Sequence, residues 1–315
     1  MKALLTGITG FVGGHLTRHL LASGDEVVGV SQNGAWPADF SLPVTLVPGD
    51  LANDFTPSFI AEIDKYAPDV IYHLAGLSIP SDCGGSGEPT PAAWNVNVEG
   101  VRRIIELAAA LRRRPRIVFT SSSHVYSAVP IDSPVVDESA PLEPRTAYGR
   151  TKLAAEEFCR RAVLETGADI IIVRSFPQAG ERQDPRLMLA EWAAAMARRE
   201  LEIMIGGDDV TLDLLDVGDA VRALRLLALH GASGSVYNVG SGIARTSGDL
   251  LRLLQTMADD PRPVRVRNPE RRSDPVADIR RLQAATGWRP EVPIERTIAD
   301  VWHYWRTRVR HEEKQ

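Results

Sequence analysis

The sequence predicts an α/β chain built on a doubly wound parallel sheet, and three observations predict it. Short β-branched and apolar runs alternate with longer helical patterns through the first half of the 315 residues. Several of those runs are apolar throughout, as strands buried on both faces are. A glycine-rich segment stands between the first run and the first helical pattern, where such sheets turn. Strand–helix order with right-handed crossovers then gives a parallel sheet covered on both sides.

The expected strands are Ala3–Thr6, Glu26–Val30, Val44–Val47, Val70–His73, Ile117–Ser121 and Ile170–Arg174. Between them Val12–Ala22, Pro57–Tyr66, Ala92–Arg112 and Tyr148–Thr166 carry helical spacing. Beyond Arg174 the pattern loosens. Leu187–Arg199 and Asp219–Leu229 read as helices, Leu212–Leu215 as extended and Ser235–Val239 as a last strand. Asp249–Met257, Asp278–Thr286 and Ile294–Arg308 read as helices around a Pro- and Arg-rich stretch, Asp260–Pro275. This second part is expected to be a smaller, partly interleaved C-terminal region, with no clean linker before it.

Composition narrows the function. Hydrophobic residues are 44% and charged residues 24% of the chain, ordinary for a globular protein. Lys and Arg number 36 against 41 Asp and Glu, a net charge of −5, which argues against a nucleic-acid surface. No apolar run approaches the roughly 20 residues that span a bilayer, so no membrane partner is expected. Cys83 and Cys159 have no metal-ligand spacing, no metal is expected, and two lone thiols fit a reducing, cytoplasmic setting.

Two motifs carry chemistry. Thr6-Gly7-Ile8-Thr9-Gly10-Phe11-Val12-Gly13 follows the first strand and opens the first helix. Its glycines allow a tight turn and a close approach to a pyrophosphate, and the helix N-terminus offers N–H donors. The spacing is Gly-x-x-Gly-x-x-Gly. After the second strand stand Ser31-Gln32-Asn33, with no acid for a ribose 2′-hydroxyl and no Arg for a 2′-phosphate. The cofactor expected is NAD(P), the missing acid tilting the choice slightly toward NADP. Asp50-Leu51, ending the third strand, is placed either against the adenine or as a turn cap.

The second motif is Tyr148-Gly-Arg-Thr-Lys152. Positions i and i+4 share a helix face, and a nearby ammonium favours the phenolate, lowering the phenol pKa toward a usable acid/base. Thr120-Ser121-Ser122-Ser123-His124-Val125-Tyr126 ends the fifth strand, at the mouth where ligands of such sheets bind.

With His73-Leu74-Ala75-Gly76 and Asn97-Val98-Glu99-Gly100 added, the ordered set resembles the extended short-chain dehydrogenase/reductase family, and does so over essentially the whole chain. The resemblance implies a Rossmann fold, with Tyr148 as acid/base, Lys152 on the nicotinamide ribose and Ser122 positioning the reacting oxygen. It implies cofactor contacts at Gly7, Thr9, Gly10, Phe11, Val12, Gly13, Ser31, Gln32, Asp50, Leu51, Leu74, Ala75, Gly76, Tyr148 and Lys152. The dinucleotide part is expected over residues 1–174, completed by about 212–240, with the substrate region at 175–211 and 241–315. Helices Ala92–Arg112 and Tyr148–Thr166 are Ala- and Leu-rich; in the family such a pair forms a homodimer interface.

Val236–Gly242 and Thr286-Gly287-Trp288-Arg289-Pro290 are similar to the nucleotide-sugar members of the family, GDP-4-keto-6-deoxymannose reductases above all. Family dehydratases need a carboxylate close after the catalytic hydroxyl; Ser123-His124 stand there instead. The chain also has Phe176-Pro177-Gln178 where Phe-Asn-His is frequent, and Leu212 where an Arg precedes the Asp. Substrate contacts are therefore expected from Ser78, Ser123, His124, Gln178, Arg182 and Arg271, with Arg182, Arg271 or Arg272 on a diphosphate. The expected activity is NAD(P)H-dependent reduction of a 4-keto nucleotide-diphosphate sugar. A nucleotide-sugar 4-epimerase holding NAD tightly is the alternative, and a non-catalytic dinucleotide sensor stands in a different class.

Overall fold

Seven strands form the central sheet: β1 (Lys2–Thr6), β2 (Glu26–Ser31), β3 (Thr45–Pro48), β4 (Val70–His73), β5 (Arg116–Ser122), β6 (Ile170–Ser175) and β7 (Val236–Val239). Their order is β7-β6-β5-β4-β1-β2-β3, and every neighbouring pair is parallel. The computed structural model describes residues 1–207, 209–267 and 271–312. The helices of eight or more residues are α1 (Phe11–Ala22), α2 (Pro57–Tyr66), α3 (Gly100–Ala110), α4 (Ala147–Thr166), α5 (Met188–Ala197), α6 (Val217–His230), α7 (Ser247–Ala258) and α8 (Ile294–Glu312).

The uniformly apolar strands are buried on both faces, and period-2 alternation divides their side chains between two cores. Ala3, Leu5, Tyr72, Val118, Ile171 and Val173 pack with Leu16 and Leu20 of α1 and Leu224 and Leu227 of α6. Leu4, Ile71, Ile117, Phe119, Ile170 and Ile172 pack the other way, with Phe59 and Ile63 of α2, Ile104 and Leu107 of α3, and Ala155 and Cys159 of α4. A third core joins Trp192 of α5, Leu251 of α7 and Trp305 of α8.

Strand order reverses at β1: the chain winds outward through β2 and β3, then returns to β4 on the other side. That switch point opens a crevice beyond the carboxyl ends of β1 and β4, whose last residues, Thr6 and His73, are register partners. Thr6 Oγ1 and His73 Nδ1 hydrogen-bond at 2.7 Å beneath it.

Two expectations change. The single helix expected over Ala92–Arg112 is a short helix Pro91–Trp94, a π-helical turn Asn95–Glu99 and then α3, ending at Ala110. The π turn accommodates Asn97, whose buried side chain bonds outside the helix instead of facing the apolar core. Arg112 and Arg113 lie beyond the helix end and pair with Asp64 and Asp69. The extended segment near Leu212 is Val210–Asp213, which pairs with Ala244–Thr246 and Arg272–Ser273 outside the central sheet. The middle of the Asp260–Pro275 stretch, residues 268–270, lies outside the described residues. No described helix is long and apolar enough to cross a membrane, and no described cluster of His, Cys, Asp or Glu is arranged for a metal.

Candidate active site

A cleft of about 1400 Å³ runs along the carboxyl ends of the strands. It is lined by the Gly7–Gly13 loop, Ser31 and Gln32 after β2, Asp50 and Leu51 after β3, Leu74–Gly76 after β4 and Thr120–Ser122 of β5. Tyr148 and Lys152 face it from α4, and Gln178 and Arg182 from the segment after β6.

The loop is shaped for close backbone approach. Gly7 has φ +71°, and a Cβ there would lie 2.7 Å from Ala75 N. A Cβ on Gly13 would lie 2.1 Å from Gly7 O, so the start of α1 can press against the β1 turn only with glycine present. Gly10 caps α1 without a side-chain hydrogen bond, leaving the first-turn N–H groups unspent. Such a cradle at a helix N-terminus fits a dinucleotide pyrophosphate. Beyond it, Gln32 Nε2 sits 3.4 Å from Asp50 Oδ1. Asp50 also accepts from Ala52 N at 2.9 Å, so it caps its turn while facing the cleft.

At the other end the serine run resolves into separate tasks. Ser121 Oγ donates to buried Glu156 Oε1 at 2.6 Å and is committed to the core. Ser122, buried but cleft-lining, accepts from His124 N at 3.2 Å, which leaves its hydroxyl proton to donate. Ser123 and His124 also line the cleft; the His124 ring meets the Tyr148 ring edge-on at 5.5 Å. Thr146 caps α4 by accepting from Gly149 N at 3.0 Å, so the helix begins one residue before Tyr148. Lys152 lies one turn on, its Nζ donating to Thr120 O at 2.9 Å and standing 5.8 Å from the Tyr148 ring centroid.

The electrostatics differ from the sequence expectation. Burial pushes the Tyr148 phenol up to about 12, opposed by hydrogen bonding with Ser122. Burial pushes Lys152 down to about 8. Desolvation of the phenol outweighs the Ser122 hydrogen bond, so Tyr148 is a protonated acid at neutral pH.

Of the residues expected at the site, Arg271 alone is not on the cleft wall. Its Nε pairs with Asp209 at 3.1 Å on the surface, while Arg272 faces the cleft. Ser78 and Gln178 line the cleft; Arg182 touches Thr9, Gly14 and Phe40.

Sequence reasoning missed Asn97 as a support. Its Oδ1 accepts from Leu77 N at 2.8 Å, and its Nδ2 donates to Leu77 O at 2.9 Å and Thr151 Oγ1 at 3.0 Å. It thereby ties the Leu74–Leu77 wall to the helix carrying Lys152. Its place in the Asn97-Val98-Glu99-Gly100 run was the signal. Trp36, which also lines the cleft, gave none.

A family model described as the NAD dependent epimerase/dehydratase family matches residues 3–240, and the chain belongs to that family. It is thus an NAD(P)-dependent oxidoreductase of the extended short-chain dehydrogenase/reductase type. GDP-6-deoxy-D-mannose reductase of Pseudomonas aeruginosa is 28% identical, covering 99% of both chains. A UDP-glucose 4-epimerase of Halalkalibacterium halodurans is 26% identical, covering 96% of this chain and 95% of the other. The structure of RMD from Pseudomonas aeruginosa complexed with NADPH superimposes with a TM-score of 0.81 at 27% identity, covering 97% of this chain and 99% of that one.

Proposed function

We propose that the enzyme reduces the 4-keto group of a nucleotide-diphosphate sugar of the GDP-4-keto-6-deoxymannose kind, drawing on NADPH or NADH. The observation that carries this reading is Ser122, Tyr148 and Lys152 on one cleft wall, with Ser123 and His124 where an elimination would need a carboxylate. The Gly7–Gly13 cradle, Leu74–Gly76 and Lys152 hold the dinucleotide, and the nicotinamide supplies a hydride to the ketone carbon when bound. Ser122 donates a hydrogen bond to the ketone oxygen, and Tyr148 gives that oxygen its proton as negative charge develops. Lys152 stabilises the resulting phenolate, which is reprotonated from solvent. One ketone becomes one alcohol, with one hydride and one proton consumed.

The remaining assignments follow from the same wall. Ser31 and Gln32 place no carboxylate at the end of β2, which supports NADPH over NADH. Residues 1–174 with β7 hold the dinucleotide, and Ser78, His124 and Gln178 contact the sugar side. Trp94, 43% exposed beside Leu142 and Leu153, supports a homodimer through α3 and α4. Two free, buried thiols fit a cytoplasmic enzyme.

Tyr148→Phe tests the reading. Loss of about 10²–10⁴-fold in turnover with NADPH affinity intact is expected, and wild-type turnover would sink it. Protein that purifies with stoichiometric NAD and interconverts sugars without net cofactor consumption would establish the epimerase reading, which the similarity to UDP-glucose 4-epimerases supports.

A further inference from the structure

Arg182 stands apart from the surface arginines. Gln183 N bonds Gly180 O at 3.4 Å, closing a four-residue turn whose third position Arg182 fills with φ +69°. Glycine or asparagine is usual there, because a side chain in this region is strained. The turn is docked on α1: Glu181 O hydrogen-bonds His15 Nε2 at 2.9 Å, and Glu181 lies 3.9 Å from Arg18. The strained conformation sends the Arg182 side chain back over the phosphate loop, where Nη2 lies 3.5 Å from Thr9 O.

The guanidinium is held flat there. Its carbon lies 3.3 Å from the Phe40 ring centroid, with Arg18 5.2 Å from the same ring. Nη1 occupies space that any side chain at position 14 would need, since a Gly14 Cβ would come within 2.5 Å of it. Nη1 is buried and has no hydrogen-bond partner, and no described carboxylate pairs with Arg182. A planar, unneutralised fork beside an uncapped helix N-terminus is arranged for a diphosphate.

We propose that Arg182 is a cofactor-binding residue that clamps the dinucleotide pyrophosphate against the Gly7–Gly13 loop, and is not a contact for the sugar nucleotide. The proposal rests on the dinucleotide half of the proposed function and is independent of the sugar chemistry. Both ligands carry a diphosphate; the contacts to Thr9 and Gly14 commit Arg182 to the dinucleotide. The strain in the turn is then the cost of bringing a charge from the substrate-side segment onto the cofactor loop.

NADH, NADPH and GDP are titrated separately into wild-type, Arg182→Met and Arg182→Lys full-length protein by calorimetry. The Met variant is expected to bind NADH and NADPH about 10- to 100-fold more weakly by a similar factor for each, with GDP unchanged. Lys, which keeps the charge and loses the fork, is expected between the two, and serves alone if the Met variant does not fold. Unchanged dinucleotide affinity overturns the proposal. So does a loss confined to GDP, which would make Arg182 a substrate contact, or one confined to NADPH, which would place it on the 2′-phosphate. Because no sugar turnover is read, failure of the keto-sugar assignment leaves the result interpretable.

Discussion

At the scale of the residue, burial is the largest cause of the shifts at both Tyr148 and Lys152. The sequence spacing is sufficient to place both groups on one helix face. The sign of the phenol's shift is set by how much water each group loses, and that depends on α4 packing along β5. Lys152 carries the penalty most plainly: it is 5% exposed, with its pKa lowered to about 8 from the usual 10.5. A lowered lysine means that the folded state binds its proton less well than the unfolded one. Wild-type stability should therefore rise with pH between about 8 and 10.5 on this residue's account. Lys152→Met removes the buried charge while keeping the stem. It should abolish turnover yet stabilise the cofactor-free fold by about 1–3 kcal/mol at pH 7. That advantage should shrink as pH passes 8. Urea unfolding at pH 7 and pH 9.5 measures both, and a destabilised Met variant at pH 7 would contradict the sign.

At the scale of the element, the π turn Asn95–Glu99 and helix α4 are joined through one side chain. Asn97→Ala leaves both backbone groups of Leu77 without their amide partner and frees the wall between β4 and the cleft. The expected cost is about 1–3 kcal/mol by urea denaturation, with weaker dinucleotide binding. Intact NADPH affinity would show that the wall is held by other contacts. A buried pair steadies the opposite side: Arg174 of β6 makes two hydrogen bonds to Glu156 of α4, at 3.0 and 2.9 Å. Glu156 in turn accepts from Ser121, so β5, β6 and α4 meet at one carboxylate directly behind Ser122. None of these partners is close in sequence, and no local pattern could have connected them.

At the scale of the whole molecule, the cleft is assembled from the ends of six central strands plus segments from the C-terminal part. A dinucleotide spanning it bridges regions far apart in the chain and should act as a strap. At 100 times its Kd, NADPH should add about 2.7 kcal/mol to unfolding, seen as a rise in melting temperature that scales with the logarithm of concentration. A melting temperature indifferent to NADPH and NADH would remove the cofactor site.

The sequence by itself determined the parallel sheet, its phosphate loop, and the presence of a hydroxyl, a phenol and an ammonium at the strand mouth. Those features are local: hydrophobic period, glycine spacing and i, i+4 geometry act within a few residues of one another. Only the tertiary structure decided which serine hydroxyl stays free to donate into the cleft, that Asn97 sits in a π turn, that Arg271 turns to Asp209, and that Arg182 lies on Thr9 and Gly14. Each of those outcomes rests on a contact between residues distant in sequence or on competition for one partner. The Ser121 hydroxyl is spent on Glu156, which leaves that of Ser122 free to donate into the cleft. The phenol's rise to about 12 follows the same logic, since the water it loses is excluded by the packed whole and not by its neighbours in the chain.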